Sequence, residues 1–299
     1  MKSIGFIGVS TANSSIMRVF PRWGDALGLD AEIFGIDVPI NPSQEQLRQA
    51  LFTLRDKEDC QGALVTTHKL AVYHSGFDLF ESFDDFASLC GEVSAVKVRN
   101  GRLFGSAKDP ITAGLSLEEF LPANHFSSGA EVLCFGDGGA ATAIGWYLAS
   151  RKDQPSKMTF FGVNQAKLAH LNKVISDKYP TEKLNLSTYS LPEVVKAFNS
   201  LSPESLIINA TGMGKDIPGT PVPAEVEFPP QSTIWELNYR GSLEFFHQAT
   251  EQAESHKLQV FDGWRYFIHG WTQVISEVFD LTISPTQVEE LAKIAEKYR

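Results

Sequence analysis

The sequence predicts an α/β protein of two domains, and three observations carry that expectation. First, an apolar run of strand length, Val132-Leu133-Cys134-Phe135, meets the glycine cluster Gly136-Asp137-Gly138-Gly139, and Ala-rich helical sequence follows. Second, strand-like and helix-like patterns alternate on both sides of that stretch, as an α/β layer structure requires. Third, the chain has 299 residues and is 43% hydrophobic, with 21 Phe and 5 Trp, enough to build two cores.

Taken in order, Lys2 to Gly8 reads as a buried strand and Ser10 to Ser15 as a small polar loop. Ile16, Val19, Phe20, Trp23, Ala26 and Leu27 fall at helical spacing, with Ser14 as the N-cap and Gly28 as the stop. Ala31 to Ile36 reads as a strand, Gln44 to Leu54 as an amphipathic helix and Gly62 to Val65 as a third strand. Thr66-Thr67-His68-Lys69 follows that strand, at the end where ligands collect in a parallel sheet. Lys69 is placed to do chemistry there, or to be a solvated lysine at a helix start; His68 reads as packing or a helix-end hydrogen bond. Phe77 to Leu89 is acidic and aromatic and reads as helix. Arg99-Asn100-Gly101, between Val93–Val98 and Arg102–Phe104, is a hairpin signal. Asp109, before Pro110, either caps the helix from Ile111 to Phe120 or faces a site. Leu121 to Gly129 reads as a linker.

Beyond the linker, the glycine turn predicts a Rossmann-type unit. Gly136 permits the tight turn, Gly138 lets backbone approach a pyrophosphate, and the helix N-terminus offers N–H groups to it. Further strands are expected at Met158–Phe161, Asn185–Tyr189, Leu206–Ala210, Thr233–Leu237 and Gln259–Phe261, with helices between most of them. Helices from about Trp264 to Phe279 and Thr286 to Tyr298 are surplus to a dinucleotide domain and are expected to return to the first one. The expected domains are therefore residues 1–115 with about 264–299, and residues 125–255.

Composition narrows the function classes. A formal net charge of −10 argues against nucleic acid as a partner. No apolar run reaches membrane-spanning length, and no signal-peptide layout precedes the first strand. Cys60, Cys90 and Cys134 have no metal-ligand spacing and lie in or beside apolar segments, which predicts buried thiols, a cytoplasmic setting and no metal site.

In this order the landmarks resemble the shikimate dehydrogenase family over nearly the whole chain. The family's Gly-x-x-x-x-x-Ser-x-Ser is similar to Gly8 to Ile16: Ser14 matches, and Ile16 replaces the second carboxylate-binding serine. Its Asn-Val-Thr-x-Pro-x-Lys is similar to the stretch ending at Lys69; without a gap only the lysine survives, and Thr66 supplies the hydroxyl if the loop is one residue tighter. Gly-Ala-Val-Asn is similar to Gly91-Glu92-Val93-Ser94, with Ser94 replacing a substrate-binding Asn, and Gly-x-Asn-Thr-Asp is similar to Gly105 to Asp109. Gly-x-Gly-Gly-Ala is intact at Gly136 to Ala140, as is Asn-Ala-Thr at Asn209 to Thr211. Asp-x-x-Tyr is similar to Glu236 to Tyr239, and the late Asp-Gly with its following Gln to Asp262-Gly263, with His269 or Gly270 near the Gln position and Gln273 one turn on.

The resemblance implies an NAD(P)-dependent dehydrogenase of aromatic amino acid biosynthesis that moves a hydride between nicotinamide and a secondary alcohol of a shikimate-like ring acid. It implies Lys69 and Asp109 as catalytic residues and Ser14, Thr66, Ser94, Tyr239, His269 and Gln273 as substrate contacts. It implies Gly136, Gly138, Gly139, Ala140, Asn164, Lys167, Asn209 and Thr211 as cofactor contacts. Lys69 serves either with a pKa lowered by partial burial or as an ammonium. The family's Asn-Arg-Thr after the second nucleotide-domain strand is here Gly162-Val163-Asn164 with Lys167, so the cofactor is NADP or NAD, and the reading leans to NADP. The partner is a small-molecule substrate, and the assembly a monomer or homodimer. Two further readings stay open: a non-catalytic nucleotide-binding protein with a sensor or regulatory role, and a lyase or isomerase using Lys69 through a Schiff base.

Overall fold

The computed structural model describes residues 1–299, which divide into two units: 1–112 with 268–299, and 113–267. The boundaries fall inside two helices.

The first unit opens with β1 (Lys2–Gly8), α1 (Ile16–Leu27), β2 (Ala31–Asp37), α2 (Gln44–Asp56), β3 (Cys60–Val65) and α3 (Lys69–Gly76). It continues with β4 (Phe80–Phe83), α4 (Asp85–Cys90), the hairpin β5 (Ala95–Arg99) and β6 (Arg102–Ser106), and the start of α5 (Asp109–Glu118). Its sheet runs β2-β1-β3-β5-β6-β4, parallel at β2-β1-β3 and antiparallel from β3 to β6. Asn100 and Gly101, at φ 52° and 70°, make the tight hairpin turn that pairs Arg99 with Arg102.

Two expectations are corrected here. The segment 77–89 is not one helix. It is a single 3₁₀ turn, then β4 paired parallel to β6, then the short α4 capped by the Asp84 carboxylate on the Ala87 N–H at 2.7 Å. The N-cap of α1 is Ser15, not Ser14, and Ser14 lies buried in the preceding turn.

The second unit holds β7 (Val132–Phe135), α6 (Gly139–Ser150), β8 (Met158–Gly162), α7 (Gln165–Ile175), β9 (Leu184–Thr188) and α8 (Leu191–Ser200). Then follow β10 (Leu206–Asn209), β11 (Thr233–Glu236), α9 (Glu244–His256), β12 (Gln259–Phe261) and the start of α10 (Trp264–Phe279). Its sheet, β12-β11-β10-β7-β8-β9, is parallel throughout. The order reverses between β7 and β10, the switch point where doubly wound sheets bind ligands. Both faces are covered. Val132 and Cys134 enter one apolar core with Leu148, Phe160 and Trp235, while Leu133 and Phe135 enter another with Phe161, Ile207 and Phe245. Successive strand residues point to opposite faces, so a continuously apolar strand needs this double cover.

The rest of α10 and α11 (Pro285–Ala295) belong to the first unit. Trp271 meets Phe6 edge-on at 5.1 Å, Phe279 stacks on Phe20, and the Trp23 indole N–H donates to the Leu291 carbonyl at 2.8 Å. No helix is long and apolar enough to cross a membrane.

Candidate active site

Lys69 and Asp109 are the first residues of α3 and α5, and each follows the end of a sheet strand. Asp109 suits its position, because a helix N-terminus stabilises a carboxylate; a lysine there works against the dipole and needs a counter-ion. Asp109 is that counter-ion. The Lys69 ammonium donates to its Oδ2, with the two side chains only 17% and 6% exposed. Burial acts to lower the Lys69 pKa, but Asp109 and then the Glu92 carboxyl outweigh it and hold the lysine above its ordinary range. Of the two forms expected, this direction favours the ammonium.

The surrounding loops are tied in place. Thr67 takes φ 41° in the turn between β3 and α3, and Thr66, half-buried, donates its N–H to Ile7 at 3.0 Å. His68 is buried with Nε2 3.1 Å from the Val38 carbonyl oxygen, and burial lowers its pKa, as suits a packed neutral imidazole. The Ser94 hydroxyl accepts from the Lys108 N–H at 2.6 Å, which anchors the turn into α5. His269 is buried and Gln273 half-buried, both on the part of α10 that belongs to this unit. Ile16 is fully buried in α1. Thr11, a buried hydroxyl in the preceding loop, donates to Asp37 Oδ1 at 2.6 Å.

In the second unit the glycine turn closes between β7 and α6. Gly136 takes φ 134°, and a Cβ there would come within 2.8 Å of the Ala210 carbonyl oxygen. Gly138 is the N-cap of α6 and brings no capping side chain; a Cβ on it would meet nothing within 4 Å. The first turn of α6, with Gly139 and Ala140 half-buried, thus presents N–H groups to open space.

Several predicted cofactor contacts have structural roles. Asn209 is fully buried: its amide donates to Glu236 at 2.7 Å and to the Met213 carbonyl at 3.3 Å, and its oxygen accepts from the Thr211 N–H and hydroxyl. It shapes the loop from within. Thr211, half-buried, is the exposed edge of that loop. Asn164 caps α7 through Oδ1, accepting from Ala166 and Lys167 N–H groups, and Lys167 is exposed. Tyr239 is half-buried and packs on Phe267 and Trp264.

Three acids escaped the sequence reading. Glu92 is fully buried beside Lys69 and Asp109; its only signal was a carboxylate where the resembling motif has a methyl group. Asp137, inside the glycine turn, accepts the Val163 and Asn164 N–H groups at 2.8 Å and so ties that turn to the loop after β8. Glu236, pushed up to about 7 by burial against three hydrogen bonds from Asn209 and Asn238, holds the Asn209 loop.

No family model matches the chain. It is 25% identical over 225 residues to a shikimate dehydrogenase (NADP(+)) of Streptococcus gordonii, covering 74% of this chain and 72% of the relative. It is 28% identical over 207 residues to another of Salinibacter ruber, covering 68% of each. Its fold matches shikimate 5-dehydrogenase of Thermus thermophilus, solved in complex with NADP(H) and shikimate, at a TM-score of 0.73 and 22% identity, over 99% of this chain and all of that one. The class is thus a two-unit α/β protein whose second unit is of Rossmann type. Within that class, the family these similarities support is the shikimate dehydrogenases.

Proposed function

We propose that the chain is an NADP-dependent oxidoreductase that interconverts a ketone and a secondary alcohol on a hydroxylated ring acid. Residues 1–112 with 268–299 bind the substrate, and residues 113–267 bind the dinucleotide. The observation that carries the reading is the buried Lys69–Asp109 pair. The glycine turn fits a dinucleotide, because Gly138 leaves its pyrophosphate the space a side chain would take, and Gly139 and Ala140 offer it backbone N–H groups. Hydride exchange with the substrate carbon is the chemistry a bound nicotinamide supplies.

The protein supplies the proton and the geometry. The Lys69 ammonium polarises the substrate carbonyl and gives its oxygen a proton as the alcohol forms; the reverse direction returns that proton to Nζ. Asp109 keeps the lysine charged and orients it. Ser14, Thr66, Ser94, His269 and Gln273 bind the ring and its substituents. Ile16 puts an apolar side chain where the resembling family has a carboxylate-binding hydroxyl, and Thr11 is committed to Asp37. The loss of one charge-assisted donor weakens carboxylate binding by about 1.5–3 kcal/mol. The preferred substrate is therefore a relative of shikimate with a different acid group or ring pattern, or a smaller hydroxy acid.

The test is a dehydrogenase screen over cyclic polyol acids with NADP+ and NAD+, using the wild type and Lys69→Ala. Turnover by the wild type that Lys69→Ala abolishes supports the reading. Tight dinucleotide binding with no turnover of any substrate refutes it in favour of a sensor, and borohydride trapping of a Lys69 adduct refutes it in favour of Schiff-base chemistry.

A further inference from the structure

Asp137 does more than tie two loops together. It stands between Gly136 and Gly138, in the turn that offers its N–H groups to a pyrophosphate. The residue is 8% exposed, and its side chain reaches the end of β8. There both hydrogen bonds, from the Val163 and Asn164 N–H groups, fall on Oδ2 at 2.8 Å, which leaves Oδ1 free to accept another. The strand makes room for this carboxylate. β8 ends at Gly162, where a Cβ would come within 2.7 Å of the Asp137 Cβ and 2.8 Å of its Oδ2. A side chain at 162 would displace the carboxylate from its two donors.

In a Rossmann unit the end of the second strand is where the adenosine ribose of a dinucleotide is read. An acid there accepts from the 2′-hydroxyl of NAD, and an arginine receives the 2′-phosphate of NADP. β8 is that second strand, paired parallel to β7. The loop after it brings neither side chain. Val163 is apolar and 80% exposed, and Asn164 spends its Oδ1 capping α7. The carboxylate arrives instead from the glycine turn. The two N–H groups that could have met a phosphate oxygen are taken by Oδ2. Lys167, exposed in the first turn of α7, is the cation this loop offers to a 2′-phosphate.

We propose that Asp137 sets selectivity at the adenosine ribose, and that through it the protein takes NAD as well as NADP. This rests on the dinucleotide-binding part of the dehydrogenase reading. Asp137 Oδ1 accepts from a ribose 2′-hydroxyl, a charge-assisted bond that a 2′-phosphate cannot donate. Toward a 2′-phosphate the same oxygen sets like charge against like charge, which is how a site selects by repulsion. Lys167 offsets part of that repulsion, so NADP is weakened and still bound.

The test is calorimetric titration of NADPH and NADH into the full chain, wild type and Asp137→Asn. The asparagine keeps the shape and can still accept the two N–H groups at its one oxygen, while its amide nitrogen puts a donor where Oδ1 was. The wild type should bind NADH no more than about tenfold more weakly than NADPH. Asp137→Asn should bind NADPH more tightly and NADH more weakly, moving the ratio of Kd values by about tenfold or more toward NADPH, the size of one hydrogen bond to a charged group. A wild-type preference for NADPH beyond about tenfold, or a ratio that Asp137→Asn leaves unchanged, overturns the proposal while leaving the dehydrogenase reading intact. Failure of both dinucleotides to bind overturns both. The wild-type ratio needs no variant, so the proposal stays testable if Asp137→Asn fails to fold.

Discussion

Asp109→Asn separates two accounts of how the buried cluster is held. The substitution removes the charge and keeps the size. If nothing compensates, the Lys69 ammonium, only 17% exposed, is left unpaired, and breaking a buried pair costs about 3–5 kcal/mol. Glu92 changes the expectation. Asp109 is the largest influence after burial keeping its proton on, and Lys69 is the one pulling it off. Without Asp109, Glu92 can ionise and take over as counter-ion. The loss then falls toward that of one hydrogen bond to a charged group, about 1.5–3 kcal/mol. The assay is urea unfolding at pH 7 followed by tryptophan fluorescence, since Trp23 and Trp271 both lie in this unit. The double variant Asp109→Asn, Glu92→Gln should lose more than the sum of the two singles. A shift under about 0.5 kcal/mol for Asp109→Asn, the range of surface substitutions, would refute the buried pair.

The remaining predictions concern the lysine, the glycine turn and pH. Lys69→Ala should lower kcat by ~10²–10⁴-fold and leave NADPH binding intact, measured by steady-state kinetics and fluorescence titration; a near wild-type rate removes Lys69 from the mechanism. Gly138→Val should abolish dinucleotide binding in calorimetry without lowering the melting temperature, because its side chain enters space that no protein atom occupies; unimpaired binding moves the phosphate site elsewhere. The folded-state pKa of Glu92 lies above its unfolded value, so its contribution to stability is fully present below about 4.5 and is lost as pH rises through about 8. Unfolding free energies from pH 5 to 9 should therefore decline more steeply in the wild type than in Glu92→Gln, and parallel curves would contradict the protonated acid.

Much of the fold was legible because local and global signals agree. The runs at Val132–Phe135 and Leu206–Ile208 are apolar without alternation because both sheet faces are covered, and Asn100-Gly101 admits few conformations other than its turn. The segment 77–89 misled because Phe77, Phe80, Phe83, Phe86 and Leu89 recur at a helical interval, whereas the decision is made by a non-local pairing of β4 with β6. In the site, the places of Lys69 and Asp109 at strand ends left a structural role open for each, and the resemblance singled them out. The direction of the lysine's pKa was not legible, because it depends on whether Asp109 and then Glu92, brought in from other segments, outweigh burial. The buried partner of Asn209 was not legible either, because Glu236 lies on the neighbouring strand.

A dehydrogenase with the Lys69–Asp109 pair and an apolar Ile16 is expected to prefer a ring acid other than shikimate. Steady-state oxidation of shikimate and of a panel of related hydroxylated ring acids with NADP+ tests it most directly. A panel member is expected to be turned over with kcat/KM above about 10⁴ M⁻¹s⁻¹ and shikimate below that value. Shikimate above it would contradict the altered specificity, and no turnover of any member with either dinucleotide would contradict the dehydrogenase itself.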